Sequence, residues 1–236
     1  MNIAIIGYGK MGREIEKAAI ARGIKIVSTI DPSNSSAAYK NIDENSLKNA
    51  DVCIDFTRPD AVVENIKKIS KFKKNIVVGT TGWNDKINEA RKIVNQNGIG
   101  LIYASNFSIG VNIFFRMIEN TARIMNNVEA YDVFGYELHH SKKLDSPSGT
   151  AKSIEKILTS SIKRKKEISF ASVRAGSIPG THVVGFDSTA DTIELKHTAR
   201  NREGFALGAI MAAEWINKKK GFFEINDMMN EIIGGN

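Results

Sequence analysis

Cysteine occurs once in this 236-residue chain, at Cys53. One thiol cannot form an intramolecular disulfide, and its place in the apolar run ADVCIDF marks a buried structural group, so nothing here asks for an oxidising compartment. Long hydrophobic runs are lacking too. No apolar segment approaches the roughly 20 residues a membrane-spanning helix needs, and Met1 and Asn2 lead straight into the short run Ile3 to Ile6 with no basic leader. A soluble cytoplasmic protein with no membrane partner is expected. Internal repeats, low-complexity tracts and flexible linkers are missing. Long basic blocks are also absent despite a formal net charge of +7: the cations fall in short runs, Lys71 to Lys74, Arg164 to Lys166 and Lys218 to Lys220, without interleaved aromatics. Solvated surface and no nucleic-acid partner is the expectation, with a positive field that concentrates small anions.

What is present is ordinary globular composition, 42% hydrophobic and 25% charged, in a length that accommodates two lobes. NIAII, KIVSTI, DVCIDF, NIVVG and GLIY read as strands, rich in Ile and Val and too short for helices. Between them lie helical segments at Met11 to Ala21, Ala61 to Phe72 and Asp85 to Asn97, the last with Asn84 as its expected N-cap. Such βαβ spacing predicts a doubly wound parallel sheet, an α/β Rossmann arrangement that takes ligands at the carboxyl ends of its strands. After Asn106 the pattern changes. A helix from about Val111 to Met125 is followed by strand-like VEAYDVFGYEL, a helix from about Thr150 to Ser161, and strand-like ISFASVR, HVVGF and TIELKH. Strands in succession predict a second, α+β lobe with a mixed sheet. The segment Phe205 to Lys218 reads as a helix returning to the first lobe, with Leu207, Ile210, Met211 and Trp215 at core spacing. The expected domains are 1–107 with 207–236, binding a dinucleotide, and 108–206, for substrate and oligomerisation.

GYGKMG, Gly7 to Gly12, follows the first strand and opens the first helix, the context that gives a G-x-G-x-x-G pattern its meaning. Gly7 makes the tight turn, Gly9 lets the backbone approach a pyrophosphate, and Gly12 permits close helix-on-strand packing. Asp31 ends the second strand, where a carboxylate accepts from adenosine ribose hydroxyls. This favours NADH. Pro32, Ser33 and Asn34 offer no cation for the 2′-phosphate of NADPH, although Lys10 or Lys40 could reach one. GTTGW and YASNFS, ending the fourth and fifth strands, fall where a nicotinamide lies in this architecture.

ELHHSKKLDSPSGT, Glu137 to Thr150, holds two of the four histidines. Adjacent histidines on a strand point to opposite faces, so His139 and His140 are poor joint metal ligands, and no metal is expected. Ser148, Gly149 and Thr150 precede a helix and make an anion site at its N-terminus, beside the charge of Lys143. His139 or His140 can move a proton near neutral pH. The set suits a small dianion that receives a hydride and a proton.

With these residues the chain resembles the 4-hydroxy-tetrahydrodipicolinate reductase (dihydrodipicolinate reductase) family over essentially its whole length, through GYGKMG, CIDFTRP, VVGTTGW, YASNFSIGVN, ELHHSKKLDSPSGTA and VRAG. The resemblance implies a homotetramer that reduces a cyclic unsaturated dicarboxylate with loss of water, using NADH or NADPH, on the diaminopimelate route to lysine. It assigns acid/base chemistry to His139 and proton donation to Lys143. It gives substrate carboxylate contacts to His140, Gly149 and Thr150. The cofactor segments are Gly7, Tyr8, Gly9, Lys10, Met11 and Gly12, then Asp31, then Gly79, Thr80 and Thr81, then Ala104, Ser105, Asn106 and Phe107. Two other readings share the glycine loop: a Rossmann dehydrogenase of another substrate, such as an amino-acid or aspartate dehydrogenase, which leaves the histidine segment unexplained, and a non-catalytic dinucleotide sensor, which needs its basic residues on one face.

Overall fold

Strands that are apolar on both faces need cover on both faces, and the sheet they form here is buried accordingly. The computed structural model describes residues 1–165 and 167–234; Lys166 of the second basic run and the last two residues of 207–236 lie outside the described residues. The chain divides into two units, Met1–Ser108 with Arg202–Asn236, and Ile109–Asn201.

In the first unit β1 (Asn2–Ile6), α1 (Lys10–Ala21), β2 (Lys25–Ile30), α2 (Glu44–Leu47), β3 (Val52–Asp55), α3 (Val62–Lys71), β4 (Asn75–Val78), α4 (Ile87–Asn97) and β5 (Gly100–Tyr103) follow in order. α7 (Glu203–Ile216), β10 (Gly221–Glu224) and α8 (Ile225–Ile233) complete it from the far end of the chain. The strands run parallel in the order β10-β5-β4-β3-β1-β2. Alternation along the strands sends Ala4, Ile6, Cys53, Ile76, Val78 and Leu101 into a core with Val62, Ile66 and Ile69 of α3 and Ala90 and Val94 of α4. Ile3, Ile5, Val52, Ile54, Val77 and Ile102 are buried too, and α1 and α7 pack on these same strands. Each large side chain so buried contributes about 1.5–3 kcal/mol. Strand order reverses at β1, which has β2 on one side and β3 on the other, so the carboxyl ends of these three strands form the crevice where such sheets take ligands. Cys53 is fully buried and burial pushes its thiol up to about 12, which makes it inert.

Two local expectations need correction. Asn84 does not cap α4: it lies in a 3₁₀ turn, Asn84–Lys86, and no side chain caps the helix that follows. The core side of α7 is formed by Ala206, Gly208, Ala209, Ile210, Ala213 and Ile216, whereas Leu207, Met211 and Trp215 are half-buried. Small residues bring this helix close; a Cβ on Gly208 would stand 1.7 Å from the Phe107 carbonyl oxygen. The sixth strand, β10, escaped the sequence reading because four residues after a lysine run carry little pattern until β5 supplies a partner.

The second unit contains α5 (Ile109–Met125), β6 (Asp132–His139), α6 (Gly149–Ser161), β7 (Ser169–Arg174), β8 (Thr181–Asp187) and β9 (Thr192–Thr198). Its sheet has the order β7-β6-β8-β9, with β6 and β7 parallel and the other pairs antiparallel, a mixed sheet as expected. Phe114, Ile118, Ala122, Ile154, Leu158, Val184 and Phe186 form its core. No helix of the described residues is long and apolar enough to cross a membrane.

Candidate functional site

The glycine loop sits at the reversal of strand order, and two of its glycines are sterically required. A Cβ on Gly7, whose φ is +85°, would stand 2.2 Å from the Phe56 carbonyl oxygen, and one on Gly12 2.3 Å from that of Gly7. Gly9 differs: a Cβ there meets nothing within 4 Å, so the middle of the loop borders open space. Gly9 is also the N-cap of α1 and supplies no side-chain acceptor, which leaves the first-turn amides to an outside anion. Lys10 is exposed and Met11 half-buried. A cavity of about 420 Å³ beside the loop is lined by Gly7, Gly9, Asp31, Ser33, Lys40 and Arg58, among others.

Asp31 acts first as a clamp. Its Oδ2 accepts from the Tyr8 amide at 2.9 Å, and its Oδ1 from the Ser33 and Asn34 amides at 2.9 and 3.0 Å. Burial raises its proton affinity, but these three donors outweigh that and hold the carboxyl below its ordinary value. A carboxylate offers about four acceptor positions, so one remains for a ribose hydroxyl. Lys40 donates to the Asn34 carbonyl at 2.7 Å on the same rim. Asn34 also bonds the Tyr8 carbonyl at 2.5 Å, and the Tyr8 hydroxyl bonds Glu16.

Asp55, which sequence reasoning missed, ties the later loops together. Fully buried at the end of β3, it accepts from Thr57 Oγ1 at 2.7 Å, Asn65 Nδ2 at 2.8 Å and Thr80 Oγ1 at 3.2 Å, while burial raises its proton affinity. Thr80 in turn accepts from the Thr57 amide at 2.7 Å. Gly79 has no room for a side chain because the Phe56 ring would lie 2.0 Å from it, and that ring packs 6.2 Å from Phe107. Thr81 and Ser105 are exposed, Ala104 and Phe107 are buried, and Asn106 accepts from the Ser108 amide at 2.8 Å. The crevice residues therefore suit a dinucleotide: donors at a helix start, a glycine loop with open space above it, and an ionised carboxylate at the second strand.

In the second unit the alternation of β6 buries Val133, Gly135, Glu137 and His139 in one row, with His140 just beyond the strand and half-buried. Register decides what the row meets. Glu137 stands opposite Ser172 on β7 and His182 on β8, and His139 opposite Arg174. Glu137 Oε1 accepts from Arg174 Nη2 at 2.7 Å, Ser172 Oγ at 2.8 Å and the Ser148 amide at 2.9 Å. Its Oε2 lies 3.2 Å from His139 Nδ1 and 3.4 Å from His182 Nε2. Burial opposes this charge, yet the donors overcome it and bring the carboxyl down to about 2. Burial likewise pushes both imidazoles down, His182 to about 4, with the Glu137 charge pulling the other way. For His139 the positive charges of Lys143 and Arg174 add to the downward push.

The loop after β6 carries the remaining candidates. Lys143 Nζ pairs with Asp145 at 2.7 Å, and Arg174 also donates to the Asp145 carbonyl at 2.7 Å. Ser148 caps α6, its hydroxyl accepting from the Ala151 amide at 3.1 Å and lying 3.3 Å from His182 Nε2. Because its amide already serves Glu137, the anion at this helix start is first the protein's own carboxylate. Gly149 is exposed with open space where a Cβ would be, and Thr150 is half-buried.

Two patterns emerged only in three dimensions. Glu137, His139 and His182 place one potential ligand atom each within 4.8 Å of one another, a set the sequence reading never assembled. Arg174 already neutralises the carboxylate, so a divalent ion there would meet an uncompensated guanidinium. Separately, Lys73, Lys74 and Lys218 to Lys220 from two basic runs border one depression of about 610 Å³ in the first unit. Lys73 bonds the Asn97 carbonyl and Lys219 pairs with Glu231, so part of this charge is internally engaged.

Comparison with known proteins accounts for both units. Residues 1–107 match the family model for the dihydrodipicolinate reductase N-terminus and residues 110–229 that for its C-terminus. A 4-hydroxy-tetrahydrodipicolinate reductase of Christiangramia forsetii is 42% identical over 243 residues, covering 99% of both chains. One from Buchnera aphidicola subsp. Schizaphis graminum is 40% identical over 81% of this chain and 75% of its own. Among solved structures, the dipicolinate-bound dihydrodipicolinate reductase of Paenisporosarcina sp. TG-14 shares the fold with a TM-score of 0.82 at 22% identity, covering 96% of this chain and 98% of that one. With both halves matched in order and a relative 42% identical over nearly the whole of both chains, the chain belongs to the dihydrodipicolinate reductase family.

Proposed function

We propose that this protein reduces 4-hydroxy-tetrahydrodipicolinate to tetrahydrodipicolinate with loss of water, in the diaminopimelate route to lysine, with NADH as its preferred reductant. Among the geometric features, the one that carries this reading is the seating of His139 beside an ionised, triply held Glu137, on the strand whose following loop presents Lys143.

The stoichiometry states what the residues must do. One hydride and one proton are consumed and one water leaves, so the departing hydroxyl must be protonated. Bound NAD(P)H supplies the hydride. On the first unit, Gly7 to Gly12 and the α1 amides hold the pyrophosphate, and Asp31 accepts from the adenosine ribose. Gly79, Thr80 and Thr81, with Ala104 to Phe107, hold the nicotinamide end. Asp31 is already ionised, so a 2′-phosphate beside it meets like charge, and Lys40 gives part of its donor capacity to Asn34. This is the ground for preferring NADH.

On the second unit, His140, Gly149 and Thr150 hold the substrate carboxylates, the last two at the start of α6. Lys143 donates the proton, with Asp145 keeping its ammonium in place at 2.7 Å until substrate arrives. His139 exchanges protons as acid and base. Positioned transfer of this kind supplies roughly 10²- to 10⁴-fold. Ser148 holds Glu137 and caps the helix. The active form is a cytoplasmic homotetramer on this reading.

The test is a coupled assay in which dihydrodipicolinate synthase generates the substrate and NADH and NADPH are compared side by side. Oxidation of NADH dependent on the synthase, with the larger kcat/KM for NADH, is expected. No substrate-dependent oxidation would overturn the function, and a larger kcat/KM for NADPH the cofactor preference.

A further inference from the structure

His139 has two ring nitrogens in different surroundings. Nδ1 lies 3.2 Å from Glu137 Oε2, off the hydrogen-bond axis but within ion-pair reach. Nε2 faces Gly180, where a Cβ would come within 3.1 Å of Nε2 and 3.3 Å of Cδ2. Gly180 has a φ of +148°, which side-chain-bearing residues rarely adopt, so chain conformation and crowding both call for glycine there. Glu137 is fixed independently of His139, because Oε1 is taken by donors from β7 and from the start of α6 while Oε2 is turned to the imidazoles.

We infer that Nε2 is the proton-handling atom of His139, with Glu137 as the positioning residue that keeps the other proton on Nδ1 and Gly180 as the residue that leaves the Nε2 side uncrowded. This rests on the role given to His139 above. The physics is local. A ring nitrogen 3.2 Å from a carboxylate oxygen is the favoured place for the N–H, which leaves the lone pair on the other nitrogen. When Nε2 takes up a proton, the Glu137 carboxylate, shared with Arg174, keeps the surround from being positive. The groups facing the ring are Glu137 on its own strand, Arg174 on β7, His182 on β8, and Lys143 and Asp145 in the loop after β6. Two acids balance two permanent cations in that set, so removing the Glu137 charge alone leaves a positive surround that disfavours protonation of His139.

The tautomer is read directly by ¹⁵N-histidine NMR of the full-length protein near neutral pH, with His139 assigned by its loss in H139Q. Predominance of the Nδ1–H form is expected, and predominance of Nε2–H overturns the inference. In E137Q, which keeps the size and removes the charge, kcat falls by about 10- to 100-fold, part of what positioned proton transfer supplies. The KM for NADH stays near its wild-type value, and His139 titrates at lower pH. A folded E137Q with wild-type kcat and an unmoved His139 titration is equally fatal. If E137Q does not fold, the wild-type spectrum still decides. If the wild-type protein fails to reduce the substrate, the function falls, while the spectrum independently decides the ring's protonation.

Discussion

The glycine loop offers two substitutions of the same size, one that should destabilise the fold and one that should leave its stability unchanged. Gly12 lies in the first turn of α1, where alanine over glycine favours the helix by about 0.5–1 kcal/mol. Its Cβ would stand 2.3 Å from the Gly7 carbonyl oxygen, roughly 1 Å inside ordinary contact, and the obstacle is backbone rather than a side chain that can swing away. Overpacking of this kind costs about 1–3 kcal/mol, so strain wins. Gly12→Ala should lose about 1–2 kcal/mol net, or about 2–8 °C in Tm at roughly 2–4 °C per kcal/mol for a chain of this length. Gly9 has a φ of −85° and no neighbour for its Cβ within 4 Å, so Gly9→Ala should leave the unliganded Tm within about 2 °C. Both should weaken NADH by about 10-fold or more, equivalent to about 1.4 kcal/mol. In Gly12→Ala the loop has moved, and in Gly9→Ala a methyl group occupies the approach to the phosphates. Differential scanning fluorimetry without ligand and a fluorescence titration with NADH separate the two effects. Wild-type NADH affinity in Gly9→Ala would refute the reasoning, because the cofactor would then not cross the loop there.

The second unit yields two further expectations. His139→Gln and Lys143→Ala should each lower kcat by about 10²- to 10⁴-fold with NADH affinity near normal, and an unchanged kcat in either variant would remove that residue from the chemistry. Acid should destabilise the fold in two overlapping windows. His182 titrates near 4 folded against an ordinary 6.5, so the unfolded chain binds the extra proton and stability is lost as pH falls from 6.5 to 4. Glu137, at about 2 against an ordinary 4.5, continues the loss from 4.5 toward 2. Urea unfolding of His182→Gln should show a slope of stability against pH smaller by up to about 1.4 kcal/mol per pH unit between 6.5 and 4, and an unaltered slope would mean that His182 is not held neutral.

Short-range pattern along the chain was enough for part of the fold. Five parallel strands, three of the four helices between them, the glycine loop and the mixed sheet of the second lobe could be read from Ile- and Val-rich runs, glycine spacing and the order of elements; α2, a single turn, could not. Glu137 was legible in principle, since period two puts it on the same face as His139. Its partners were not. Ser172, Arg174 and His182 lie 35 to 45 residues further on, and only the register of β7 and β8 against β6 brings them to one carboxylate. The same holds for Asp55, whose tie to Thr80 requires β3 and β4 to be neighbours, and for β10, which exists as a strand only beside β5. Ser148 shows the difference most sharply. Its place before a helix marked it as part of an anion site, and its amide does meet a carboxylate, but that carboxylate is a buried side chain of the same protein. Local sequence fixes which groups can donate and accept; which partner each one meets follows from strand register, because pairing is set by burial of whole faces across the sheet rather than by neighbours along the chain.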